Sequence, residues 1–157
     1  MNEQTLQAWE LASYVVTCIG LPYAIIMLMY DNWKERQQED EELYQKLAEE
    51  YAKFNNLLIK NADLQLVTGH IPDEKLSAEQ KERKSIIFDM LVALFERAYI
   101  LVYEDNMDRQ TKRLWATWED YIKFWCQRED FKRALPGLLV GEDADFSGYI
   151  RKTAGIN

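Results

Sequence analysis

Residues 11–30 read LASYVVTCIGLPYAIIMLMY and contain no charged side chain. A helix rises about 1.5 Å per residue, so this stretch spans about 30 Å, the thickness of the hydrocarbon core of a bilayer. Aromatic residues of the kind found at membrane interfaces stand at its two edges, Trp9 before it and Tyr30 with Trp33 after it. The stretch therefore predicts a transmembrane helix.

The flanking residues indicate an uncleaved anchor and its orientation. Residues 1–10 contain no Lys or Arg, which a secretory signal peptide requires, and no small-residue cleavage site follows the stretch. Lys34 and Arg36 follow it closely, so the positive-inside rule places the C-terminal part in the cytoplasm. We expect a single-pass protein of the cell inner membrane, with residues 1–10 outside, 11–30 in the bilayer and 31–157 inside.

One face of the predicted transmembrane helix carries mostly small or hydroxyl-bearing residues. They recur every three or four positions and therefore form one stripe along the helix. Small residues let two helices approach closely, and hydroxyl groups can form hydrogen bonds across the contact. The stripe predicts packing against a second copy or a membrane partner; alternatively, the same residues would line a pore. The residues of this packing stripe are Glu10, Ser13, Thr17, Gly20 and Ala24.

The remainder of the chain predicts an all-α fold. Only six Gly and three Pro occur in the chain, which favours a few long helices over many short strands. Apolar residues recur at helical spacing over residues 43–58, and a dense apolar run over 86–103 suits the centre of a bundle. We therefore expect the transmembrane helix to continue into a polar stalk and a four- or five-helix cytoplasmic bundle.

Capping and turn residues predict where these helices begin and end. A loop is expected over residues 61–76. Ser77 followed by Gln80 predicts a capping box at the start of the second helix, and Asn106 or Asp108 predicts the cap of the third. The remaining markers are Pro136 with Gly137, which end a short fourth helix, and Phe146, Tyr149 and Ile150, which belong to a last one.

The sequence contains no recognisable catalytic or cofactor-binding motif. The single histidine, His70, has no Cys cluster near it, so no zinc site is predicted. An enzyme would need a pocket that gathers His70 with Asp89, Glu96 or Arg97. Cys126 is expected to be a small buried hydrophobe. We expect no catalytic residue, no cofactor and no metal.

Charge and aromatic residues bear on the partners. The net charge of −8 argues against nucleic acid, because phosphate binding needs a concentrated positive field. Trp115, Trp118 and Trp125 recur at helical spacing, as core residues do. Any part of them that is exposed would form a protein-interaction patch, since Trp is a frequent interface anchor.

Several short motifs carry a resemblance to a known group. In chain order, these follow the anchor: Tyr51-x-x-Phe54, Asn61-Ala62-Asp63-Leu64, Trp115-x-x-Trp118, Phe131 and Phe146-x-x-Tyr149-Ile150. Through these motifs the chain resembles small bacterial membrane-tethered helical proteins that have no assigned activity. That group has Asn-Pro-Asp-Leu at the turn where this chain has Ala62. The resemblance implies a bacterial source and a helical fold, and it implies no catalytic residue.

Together these features predict a membrane-anchored, non-enzymatic interaction or assembly protein. Its expected partners are the lipid bilayer and either a second copy of itself or another membrane or cytoplasmic protein. The alternative is a homo-oligomeric pore or membrane effector, an architecture used in bacterial defence and by CRISPR accessories.

Overall fold

The computed structural model describes residues 3–156, with the backbone alone at residues 3–13, 15–19, 36, 37, 39 and 40. Within residues 3–156 the chain forms five α-helices, two short 3₁₀ helices and no strand. The prediction of an all-α chain is therefore confirmed. The elements are α1 (Glu3–Lys60), α2 (Ala78–Val102), α3 (Arg109–Cys126), α4 (Glu129–Leu138) and α5 (Ala144–Ala154), with 3₁₀ helices at Ala62–Leu64 and Asp73–Lys75.

The chain divides into two compact units, Met1–Gln45 and Lys46–Asn157. The described residues of the first unit all belong to α1. The second unit contains the last part of α1 together with the four later helices, and it has its own hydrophobic core. The expected helical bundle is this second unit.

The part of α1 in the second unit buries one face. Leu47, Phe54 and Leu58 are buried, and their spacing is that of the apolar face predicted from the sequence. The ring of Phe54 meets the ring of Trp125 edge to face, with centroids 6.1 Å apart. This contact fixes the end of α1 against α3.

The central helix of the second unit is α2, which contacts α3, α4 and α5. The predicted capping box is confirmed: Gln80 N donates to Ser77 Oγ at 3.2 Å, and Ser77 N donates to Gln80 Oε1 at 3.0 Å. Its buried apolar residues, which form much of the core, are Ile87, Phe88, Leu91, Val92, Leu94, Phe95, Ala98 and Val102.

Two further helices also begin with a residue whose side chain accepts hydrogen bonds from backbone N–H groups of the first turn. Of the two predicted caps of α3, Asp108 is the one used, since its carboxylate accepts a hydrogen bond from Thr111 N at 2.7 Å. The carboxylate of Asp143 accepts from Asp145 N and Phe146 N at the start of α5. Each cap satisfies N–H groups that lack a partner within the helix.

The end of α4 differs from the prediction. Pro136 lies inside the last turn, and α4 continues to Leu138. Proline lacks an N–H, so at this place it removes one hydrogen bond but leaves the following turn free to form. Leu139 N still donates to Leu135 O at 2.9 Å.

Aromatic rings fill the centre of the second unit. Trp125 is fully buried and meets Phe88 and Phe131 edge to face, with centroids about 6 Å apart. Cys126 beside it is also buried, which confirms its expected role, and burial raises the pKa of its thiol to about 11. This thiol is therefore protonated and unreactive at neutral pH.

Candidate functional site

An exposed apolar segment dominates the described part of the first unit. Every residue from Gly20 to Glu35 is exposed. Residues 25–30 are six successive large apolar side chains, so the exposure extends around the whole circumference of α1 and is not limited to one face. The large apolar residues, 41–68% exposed, are Leu21, Tyr23, Ile25, Ile26, Met27, Leu28, Met29, Tyr30 and Trp33.

The predicted packing stripe is described only in part. The side chains of Glu10, Ser13 and Thr17 lie outside the described part of the structure, whereas Gly20 and Ala24 are described and exposed. Among the described residues, no helix combines the length and the apolar character needed to cross a bilayer. The predicted span includes side chains that the structure does not describe, so it stays a prediction.

A buried charge cluster lies between α2 and α4. Asp130 is 4% exposed and Lys84 is 6% exposed. Lys84 Nζ lies 2.6 Å from Asp130 Oδ2 and 2.8 Å from Asp73 Oδ1. Arg128 donates to both carboxylate oxygens of Asp130, at 3.1 and 2.9 Å, and Phe131 N donates to Oδ1 at 3.0 Å.

This cluster has the properties of a structural clamp. Burial raises the pKa of Asp130, but the hydrogen bonds from Arg128 and Lys84 outweigh it and lower the pKa to about 2. Such a carboxylate stays ionised at neutral pH and is poorly suited to general acid or base catalysis. Arg128 Nη1 also donates to the carbonyls of Leu66 and Gly69, at 2.7 and 2.9 Å. The cluster thereby ties the loop over residues 61–76 to the bundle.

His70 joins the edge of this cluster. Its Nδ1 lies 3.5 Å from Asp130 Oδ2, and its side chain is 48% exposed. Two of the charged residues that an enzyme would have to gather around it have other partners: Glu96 accepts from Asp143 N, and Arg97 lies 4.0 Å from Glu50. Within the described residues, no group of His, Cys, Asp and Glu side chains is arranged to hold a metal ion.

The three predicted patch residues are placed differently from one another. Trp115 and Trp125 are buried in the core. Trp118 is half-buried and meets the ring of Tyr51 edge to face at 6.2 Å. Of the three, only Trp118 therefore keeps surface for a partner.

An open groove of about 620 Å³ lies between the end of α2 and α5. Three half-buried tyrosines line it. The rings of Tyr99 and Tyr103 stack with centroids 4.5 Å apart and planes 13° apart. The ring of Tyr149 lies 5.4 Å from each of them. We call this arrangement of Tyr99, Tyr103 and Tyr149 the tyrosine groove.

The walls of the tyrosine groove carry more negative than positive charge. Asp105, Asp143 and Asp145 line it, and Lys152 is the one basic residue among its lining side chains in the described chain. Within the described residues, none of these three carboxylates forms an ion pair. Burial raises the pKa of the Tyr99 hydroxyl, with contributions from Tyr103 and the three aspartates.

The sequence holds only part of the signal for this groove. Tyr99 and Tyr103 are four residues apart on a predicted helix, so the sequence predicts that they lie on the same face. Tyr149 was expected in the last helix, but the packing of α5 against α2 and α3 brings it to the other two. The aspartates are helix-end residues, which ordinarily serve as caps.

No family model, no curated protein and no solved structure matches this chain.

Proposed function

We propose that the chain is a membrane-anchored, non-enzymatic interaction protein that assembles through its N-terminal helix. The observation that carries the proposal is the exposed apolar segment over residues 21–30. Exposed apolar surface of this extent marks a site that contacts lipid or another protein.

The distribution of these side chains favours lipid. A helix that docks into a protein groove needs an apolar stripe on one side and keeps a polar opposite side. Residues 25–30 instead expose large apolar side chains in every direction. Towards the N-terminus the sequence stays uncharged back to residue 11, so the apolar segment is part of a longer uncharged stretch over residues 11–30. Lys34 and Arg36 favour a cytoplasmic second unit.

Self-association is the proposed use of the packing stripe. Gly20 and Ala24 are exposed and lie on the same side of α1. Two helices that meet at such residues approach closely enough for extensive van der Waals contact, which stabilises helix pairs in lipid.

A non-enzymatic role is supported by the way the buried charges are used. Asp130 and Lys84 are each held by several partners within the protein, at distances of 2.6–3.1 Å. Their charges stabilise the attachment of the loop over residues 61–76 to the bundle.

The experiment is the mass of the full-length particle purified in mild detergent, compared with two variants. We expect a homo-oligomer or a complex with a co-purifying protein, and Gly20→Leu should reduce that mass to the monomer. Ile26→Phe adds bulk on the opposite side of the helix and should leave the mass unchanged. Monomers without any co-purifying protein contradict the proposal.

A pore is the runner-up, and it is supported by the hydroxyl and carboxyl groups of the stripe. If it is correct, expression makes cells permeable to small dyes, and Thr17→Leu abolishes this leak while the particle mass stays the same. An oligomer without any leak leaves the interaction protein as the function.

A further inference from the structure

The tyrosine groove combines two features that each favour a cation. The first is its aromatic surface: Tyr99, Tyr103 and Tyr149 are half-buried, with ring centroids 4.5–5.4 Å apart, and all three line the groove. A cation placed over the face of an aromatic ring is attracted by the negative potential of that face.

The second feature is the charge of the walls. Three aspartates line the groove against one lysine, Lys152, and no ion pair with a described residue neutralises the three carboxylates. Charge complementarity therefore selects a positively charged occupant.

Among biological cations, the guanidinium group matches this combination best. Its flat face stacks on aromatic rings, and its fork of N–H groups binds carboxylates through paired hydrogen bonds. The carboxylate of Asp143 already accepts from Asp145 N and Phe146 N through Oδ1. The remaining oxygen of Asp143 and the carboxylate of the exposed Asp105 are free of described ion pairs.

The shape of the groove favours a chain segment over a small molecule. A small-ligand pocket encloses most of its ligand's surface, whereas this groove of about 620 Å³ is open. One guanidinium group occupies a small part of that volume, so flanking residues of an extended segment have room beside it. We propose that the tyrosine groove binds an arginine side chain presented by a basic segment of a partner protein.

This inference names a partner class for the interaction domain, and in that respect it rests on the proposed function. Its test does not depend on membrane insertion or on self-association, because the groove lies entirely within the second unit. The particle mass is measured on the same preparation. Loss of peptide binding and loss of assembly are therefore observed separately.

The test uses the full-length chain in mild detergent at about 150 mM salt, where long-range attraction is screened. The probe is a fluorescein-labelled peptide of four Gly-Arg repeats, and binding is measured by fluorescence anisotropy. A peptide with citrulline at each arginine has the same shape without the charge. We expect it to bind at least about tenfold more weakly, because both the cation–π and the carboxylate contacts are lost.

Two pairs of variants locate the site. Asp105→Asn should weaken binding at least about fivefold, whereas Glu104→Gln removes the same charge from an exposed neighbour outside the groove and should have no comparable effect. Tyr103→Leu should weaken binding about tenfold, and Tyr44→Leu, an exposed tyrosine of the first unit, should not. Thermal unfolding of each variant shows whether it is folded. If Tyr103→Leu is not folded, the comparison of Asp105→Asn with Glu104→Gln decides whether the peptide binds at the groove.

Several results overturn the inference. Equal binding of the citrulline peptide removes the requirement for a cation. Equal losses in Asp105→Asn and Glu104→Gln show that only net charge matters. Tetramethylammonium that displaces the peptide at equal concentration assigns the groove to small organic cations. An oligomer that the peptide dissociates, and that Asp105→Asn also dissociates, assigns the groove to a second copy of this chain.

Discussion

Lys84 and Asp130 form an ion pair of 2.6 Å between α2 and α4, with both side chains almost completely buried. Removing charges from water is costly, and a buried pair is tolerated only when further hydrogen bonds complete it. Here Asp73 provides a second partner for Lys84, and Arg128 a second partner for Asp130. The stability of the bundle therefore depends on the completeness of this cluster.

Asp130→Asn should strongly destabilise the second unit. The substitution keeps the size of the side chain but leaves the charges of Lys84 and Arg128 without their shared carboxylate, at a cost of about 3–5 kcal/mol. The measurement is urea unfolding followed by circular dichroism. Asp63→Asn, which breaks the exposed 2.8 Å pair with Arg83, should cost at most about 1 kcal/mol. Equal losses in the two variants would show that the cluster has no special role.

Acid should weaken the fold through the same carboxylate. The pKa of Asp130 is lowered to about 2 in the folded state, so its stabilising effect is complete above the unfolded value of about 3.9 and is lost as the pH falls towards 2. Asp73, whose pKa is lowered chiefly by its hydrogen bond from Lys84, acts in the same direction. The free energy of unfolding of the wild type should fall between pH 4 and pH 2, and more steeply than that of Asp130→Asn. Parallel curves for the two proteins would exclude Asp130 as the cause.

Alkali should weaken the fold through Cys126. Burial raises the pKa of its thiol from 9.0 to about 11, so the folded state retains a proton that the unfolded state loses. Its contribution is complete below pH 9 and is lost as the pH rises through 11. Between pH 9 and pH 10 the free energy of unfolding should decrease by about 1 kcal/mol from this group. Cys126→Ala should show a correspondingly flatter decrease, and an unchanged slope would count against the effect.

The carboxyl group of Glu142 has a raised pKa, whereas the pKa of the Asp130 carboxyl is lowered. Its hydrogen bond with Glu96 is the main cause that raises its pKa to about 7, with burial and the charges of Glu96 and Asp89 adding to it. A raised carboxyl pKa stabilises the fold below about pH 4.5, and this stabilisation is lost as the pH rises through 7. Glu142→Gln should therefore raise the melting temperature at pH 8 and leave it nearly unchanged at pH 4. Because the group is half-exposed, the gain at pH 8 should stay below about 1 kcal/mol. Glu104→Gln makes the same charge change at an exposed position; an equal gain there would attribute the effect to net charge.

Much of the helical framework could be predicted because its signals are local. The Ser77–Gln80 capping box and the Asp108 cap are contacts between residues three positions apart, and the structure contains both. The apolar face of α1 from Leu47 to Leu58 follows from helical spacing alone. The end of α4 was misplaced because Pro136 costs only one hydrogen bond in a last turn.

The sites could be predicted less well because they join residues distant in sequence. Arg128 and Asp130 are neighbours in the chain, but nothing local indicates that Lys84 and the carbonyl groups of a loop complete their cluster. Tyr149 reaches Tyr99 only through the packing of α5. Both sites depend on tertiary contacts, for which a sequence pattern carries no direct signal.

The central claim is that residues 11–30 anchor the chain in a membrane, and alkaline carbonate extraction of membranes from expressing bacterial cells tests it most directly. The full-length chain should stay in the membrane pellet, because an inserted helix resists a treatment that strips peripheral proteins. The double variant Leu21→Lys with Ile25→Lys should shift to the supernatant, since each charge near the bilayer centre costs about 2.5–3.5 kcal/mol, whereas Tyr44→Lys should remain in the pellet. Release of the unaltered chain into the supernatant would contradict the account.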